Sequence, residues 1–76
     1  MITIYGTPQC GFCKLSIELA QKHGLDFKFK NVERNVFYDE LRSKDVNMDI
    51  IPHIWWGEDY IGTYSDFLTK CYSLFQ

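Results

Sequence analysis

The chain has 76 residues, 46% hydrophobic and 17% aromatic, enough apolar mass to close one dense core and too much for a disordered segment. Its net charge of −2 comes from 8 basic and 10 acidic residues with no basic run or stripe, which argues against a nucleic-acid partner. No apolar stretch approaches the ~20 residues of a membrane span, and no charged segment leads into an apolar one as in a secretory signal. A single domain over residues 1–76 is expected, soluble and monomeric.

In chain order, Ile2 and Ile4 alternate with Thr3 and Tyr5, a strand pattern that Gly6, Thr7 and Pro8 break. A helix is predicted from Gly11 to His23, stopped by Gly24, with His23 where a helix C-terminus welcomes a cation. Lys14, Glu18, Gln21 and Lys22 share a polar arc, and Glu18 and Lys22 form an i,i+4 pair. Phe12, Cys13, Leu15, Ile17, Leu19 and Ala20 cover most of the rest, as in a helix packed on a sheet. Residues 26–32 alternate again, Phe27 and Phe29 to one side, Lys28 and Lys30 to a solvated one. Strand, helix and strand make a βαβ unit with parallel strands and a right-handed crossover. Residues 37–46 suit a short helix capped by Asn35.

Residues 52–56 and 59–64 flank Gly57-Glu58 as a hairpin, with Trp55 and Trp56 on opposite faces. A last helix is predicted from Ser65 to Phe75, capped by Thr63 or Ser65. Thr63 and Asp66 stand three apart, like a capping box with Asp in the Glu position. Phe67, Leu68 and Cys71 recur at helical spacing, so Cys71 reads as a packing residue. Tyr60 and Tyr64 also read as packing residues, and His53 as a strand residue near any partner bound at Pro52. The order is β-α-β-α-β-β-α, an α/β class.

The chemistry sits in Thr7-Pro8-Gln9-Cys10-Gly11-Phe12-Cys13-Lys14. Zinc needs four ligands, usually as two close pairs, and His23, His53 and Cys71 are scattered, so no metal is expected. A structural disulfide between Cys10 and Cys13 closes almost the smallest possible loop and restrains little of the unfolded chain. A redox pair has a physical cause. Cys10 falls at the predicted helix start, where unpaired backbone N–H groups stabilise a thiolate. Cys13 lies one turn inside on the apolar arc. Cys10 is thus expected to attack, and Cys13 to resolve the mixed disulfide. Two close cysteines and one distant one do not form a secreted framework, so a reducing, cytoplasmic compartment is expected.

The small size, the Cys10–Cys13 motif after the first strand, Ile50-Ile51-Pro52, and Tyr60-Ile61-Gly62-Thr63-Tyr64-Ser65-Asp66-Phe67 together resemble a glutaredoxin. The resemblance spans nearly the whole chain, and the compact length is similar to glutaredoxins of bacterial viruses. It implies the thioredoxin fold, a four-stranded mixed sheet with helices on both faces, and a cis Pro52 opposite Cys10. It implies a redox-active Cys10–Cys13 disulfide and glutathione as reductant. The backbone of Ile51 would pair with the glutathione cysteine like an added strand. Thr63, Tyr64, Ser65 and Asp66 would hold its γ-glutamyl end at a helix start, and Phe12 would border it.

Several positions depart from the family pattern. Gly11-Phe12 stands where Pro-Tyr is common, and Thr7 where Lys is frequent. Ile50 replaces a Thr, Thr63 a Gly and Ser65 an acidic residue. Charge contacts to glutathione are thinner as a result, with Lys14 a candidate substitute for the missing Lys. Protein disulfides or glutathionylated thiols are the expected substrates, ribonucleotide reductase among them at family level. Two alternatives stand beside this reading: a thioredoxin-like hydrogen donor reduced by a flavoprotein reductase, and a carrier of a glutathione-ligated [2Fe–2S] cluster.

Overall fold

A computed structural model describes residues 1–75; Gln76, the last residue of the expected domain, lies outside them. The elements run β1 (Ile2–Gly6), α1 (Gly11–Lys22), β2 (Phe27–Asn31), α2 (Asn35–Arg42), β3 (His53–Trp56), β4 (Asp59–Gly62) and α3 (Tyr64–Phe75). The sheet order is β2-β1-β3-β4. Strands β1 and β2 are parallel, as a βαβ unit requires, and the pairs β1–β3 and β3–β4 are antiparallel. The predicted element order and the four-stranded mixed sheet are both observed.

The period of two along β1 separates the two faces. Ile2 and Ile4 enter a core with Ile54 of β3, Leu19 and Ala20 of α1, and Phe67 and Cys71 of α3, so α1 and α3 cover one face. Cys71 packs there as expected. Burying Phe67 completely contributes about 2–3 kcal/mol before ordering costs. Tyr5 is buried on the opposite face, where its hydroxyl donates to Glu40 Oε1 of α2 at 2.8 Å. Trp55 and Trp56 divide the same way. Trp56 meets Phe67 edge-on, while Trp55 meets Tyr5 and Tyr60 on the α2 side.

Helix α1 ends as its sequence indicates. Gly24 takes φ +65°, its N–H donates to Gln21 O at 3.1 Å, and Leu25 N–H donates to Ala20 O at 2.9 Å. These two bonds form a Schellman cap, and His23 is the C-cap residue, its ring stacked on Phe75.

Four expectations need correction. Phe12 and Leu15 are exposed, so the apolar face of α1 is narrower than its composition, and the buried Ser16 takes part of it by donating to Phe12 O at 2.8 Å. Lys30 is not simply solvated: its ammonium bonds Glu40 and lies over the Tyr5 and Phe37 rings. Helix α2 spans 35–42 rather than 37–46, and its N-cap is Arg34, not Asn35. Asn31 organises that entry, its Oδ1 accepting from Glu33 N–H at 2.9 Å. Past Arg42 the chain tightens into a turn, with Lys44 N–H donating to Leu41 O at 3.0 Å and Ser43 Oγ donating to Glu40 O at 2.6 Å, before Asp45 turns left-handed at φ +59°. Finally, β4 ends at Gly62 rather than 64, since Thr63 already belongs to the entry of α3.

Candidate active site

The chain leaves β1 at Gly6 and turns through residues 7–10, where Cys10 N–H donates to Thr7 O at 3.3 Å. Cys10 is the N-cap of α1, with extended φ −76° and ψ 123°. Its carbonyl accepts the first helical bond from Lys14 N–H at 3.1 Å, and its Sγ accepts from Cys13 N–H at 3.4 Å. The sulfur thus takes the place usually held by a Ser or Asp oxygen at a helix start. There it faces the positive end of the helix dipole.

Cys13 has no exposed surface. Its sulfur lies against Gly6: a Cβ added there would stand only 2.2 Å from Cys13 Sγ. Burial, and next a hydrogen bond to Cys10, push the Cys13 thiol up to about 12. All three cysteines carry free thiols, and burial raises Cys71 as well.

Beside this turn lies a cleft of roughly 200 Å³ lined by Phe12, Ile50, Ile51, Pro52, Thr63, Tyr64 and Ser65. The structure therefore brings Phe12, Ile51, Pro52, Thr63, Tyr64 and Ser65, all expected at a binding site, into one place. Phe12 is 58% exposed and stacks on Tyr64 with ring centroids 5.9 Å apart. The Ile51–Pro52 peptide is cis, as the resemblance implies. Thr7, Cys10, Cys13 and Asp66 do not line the cleft, although Cys10 is two residues from Phe12. Lys14 is exposed and does not line it either, so the missing Lys is not replaced there. None of the lining side chains is charged.

Asp66 has a local task. Its Oδ2 accepts from Thr63 N–H at 3.0 Å and from Thr63 Oγ1 at 3.3 Å, while Thr63 O receives Phe67 N–H. This is the reach-back half of the expected capping box. Gly62, with φ +122°, makes room for it: a Cβ there would stand 2.3 Å from Asp66 Oδ2. The cap fixes the start of α3, where Thr63, Tyr64 and Ser65 line the cleft.

Sequence reasoning missed three contributors. Ile50, part of the segment that carries the resemblance but not an expected binding residue, lines the cleft. Gly6, a strand breaker by its sequence, ends β1 and receives the Cys13 sulfur; a glycine four residues ahead of two close cysteines is the available signal. His53 is buried, so it does not meet a partner directly. Among the described residues, no group of three or more His, Cys, Asp or Glu could hold a metal ion. No described helix is long and apolar enough to cross a membrane.

Comparison with known proteins gives this geometry a family. A protein-family model described as Glutaredoxin matches residues 2–61. No curated protein matches the sequence. Among solved structures, reduced Escherichia coli glutaredoxin is similar over 95% of this chain and 93% of its own, at 20% identity and a TM-score of 0.79. A buckwheat glutaredoxin–glutathione complex is similar over 95% of this chain and 68% of its own, at 15% identity and a TM-score of 0.79. The glutaredoxin-like NrdH-redoxin of Escherichia coli, described as having a thioredoxin-like activity profile, shares 23% identity over 91% and 90%, with a TM-score of 0.73. The structural likenesses establish the fold, and the family model establishes the kinship: the chain belongs to the glutaredoxin family of thiol–disulfide oxidoreductases.

Proposed function

We propose that residues 1–76 act as one dithiol glutaredoxin domain, with Cys10 as nucleophile, Cys13 as resolving thiol and glutathione as the electron donor. The observation that carries this reading is the sulfur of Cys10 at the N-cap of α1, beside a cleft walled by Ile51-Pro52 and the start of α3.

Cys10 thiolate attacks one sulfur of a substrate disulfide; the S–S bond breaks, and the departing thiolate takes a proton. In the mixed disulfide Cys10 carries no charge. The part of the Cys13 shift owed to Cys10 then disappears, and only burial still opposes ionisation. Cys13 gives up its proton and attacks Cys10 Sγ, releasing the second substrate thiol and leaving a Cys10–Cys13 disulfide. Two glutathione molecules reduce that bond and become glutathione disulfide.

The cleft offers glutathione the backbone at Ile51, the ring of Phe12 and the N–H groups at the start of α3, which suit a carboxylate. No side-chain cation lines it, so backbone groups carry the charge recognition. The structure of buckwheat glutaredoxin with glutathione supports the same ligand class for this chain. Protein disulfides and glutathionylated thiols are the substrates, ribonucleotide reductase being one at family level. The protein works as a cytoplasmic monomer.

The test is turnover with glutathione and glutathione reductase, run beside thioredoxin reductase. Faster reduction by glutathione is expected. Exclusive reduction by thioredoxin reductase would replace this reading with the profile described for NrdH-redoxin.

A further inference from the structure

His53 is the first residue of β3, directly after Pro52, and only 2% of its surface is exposed. Its ring nitrogens reach in two directions. Nε2 lies 2.7 Å from Asn47 O, and Nδ1 lies 2.8 Å from the Tyr60 hydroxyl. A carbonyl oxygen can only accept, so Nε2 carries a proton and donates to it. In the neutral ring Nδ1 is then the acceptor for the Tyr60 O–H.

Each partner leads to a different wall of the cleft. Asn47 lies in residues 43–52, which contain no helix or strand. Its carbonyl also accepts from Ile50 N–H at 3.4 Å, and its Oδ1 accepts from Asp49 N–H at 2.9 Å. The imidazole is thereby attached to the turn that delivers Ile50, Ile51 and Pro52 to the cleft. Tyr60 belongs to β4, two residues before Gly62, where the strand hands the chain to Thr63, Tyr64 and Ser65. A buried imidazole with both nitrogens engaged is a costly group to leave half-satisfied, so the two contacts are coupled.

We infer that His53 is a positioning residue: it ties the Ile50–Pro52 wall to the Thr63–Ser65 wall and so sets how the cleft receives the segment carrying the reacting sulfur. It does not line the cleft itself. The inference rests on the reading of that cleft as the substrate site.

The test is steady-state kinetics with a glutathionylated peptide for the wild type, His53→Leu, His53→Gln and Tyr60→Phe. Leu keeps bulk but cannot donate; Gln can present an N–H to the Asn47 carbonyl. His53→Leu removes both hydrogen bonds and is expected to raise KM about tenfold, with kcat changed far less. His53→Gln should recover most of the loss. Tyr60→Phe keeps the ring against Trp55 and removes one tether, so it should raise KM by a smaller factor. The rate at which iodoacetamide alkylates Cys10 should match the wild type in all three, which global loosening would not leave intact. An unmoved KM in His53→Leu, a Gln variant no better than Leu, or slowed alkylation overturns the inference. If His53→Leu does not fold, Tyr60→Phe decides: an unchanged KM overturns it. A wild type without turnover overturns the cleft reading instead, and the inference falls with it.

Discussion

Cys10 and Cys13 stand three residues apart and occupy opposed surroundings. Cys10 is half-buried at the start of α1, where an incomplete helix end supplies an N–H to its sulfur. Cys13 has no exposed surface, and its sulfur rests where Gly6 lacks a side chain. One turn of helix separates them, and that turn is enough to make one thiol accessible and polar and the other buried and reluctant to ionise. Reactivity therefore follows from place in the fold; the spacing of the motif alone would leave the two thiols equivalent.

The comparison is broken most completely by removing either sulfur. Cys10→Ser should abolish thiol transfer, measured with a glutathionylated peptide and a protein disulfide. Cys13→Ser should keep the first activity and lose the second, because only the dithiol route needs a resolving cysteine. A Cys13→Ser variant that still reduced protein disulfides at the wild-type rate would contradict the assigned roles.

Gly6→Ala attacks the buried half directly. The added Cβ meets Cys13 Sγ at 2.2 Å, so the sulfur or the strand must move. Urea unfolding should register a loss of about 1–3 kcal/mol, the usual range for overpacking.

The raised Cys13 thiol sharpens the contrast through pH. The folded chain holds that proton more tightly than the unfolded chain does, with burial as the main cause. The stabilisation is complete below the unfolded thiol's pKa of about 8.5 and is lost as pH rises from there toward about 12. Reduced wild type should thus lose stability in mild alkali, while Cys13→Ser should not show that component. Parallel profiles for the two proteins would refute it.

The smallest effect belongs to the far face of the sheet. Lys30 and then Tyr5 hold Glu40 below its ordinary ionisation range. Glu40→Gln should cost about 0.5–1 kcal/mol at neutral pH, since the ion pair is partly exposed. Because the folded carboxyl is the more acidic one, the wild-type advantage should be full above roughly pH 5 and vanish as pH falls through its lowered value. Thermal unfolding at several pH values measures it, and an advantage that grew in acid would reverse the assignment.

Local signals made much of this legible. Gly24 after a helical run marks the end of α1, alternating Ile and Phe residues mark β1 and β2, Gly57-Glu58 marks the hairpin, and Thr63 with Asp66 marks the entry of α3. The segments that share the cleft are also legible, through a resemblance in their order along the chain. What stayed hidden depends on distant partners. Asn35 has the chemistry of a cap, but Asn31 organises that turn. Phe12 and Leu15 are apolar yet face outward, because the buried side of α1 is set by where the sheet and α3 lie. His53 bonds Asn47 and Tyr60, a choice that exists only once β3 and β4 are paired. Lys30 turned from a solvated lysine into an ion-pair partner by the same long-range placement.

The inequivalence of the two thiols is tested most directly by timed alkylation of the fully reduced protein at pH 7, with each cysteine followed by mass spectrometry. Cys10 should be modified first and nearly alone, while Cys13 and Cys71 stay protected until the fold is lost. Alkylation of Cys13 as fast as Cys10 in the folded protein would contradict it.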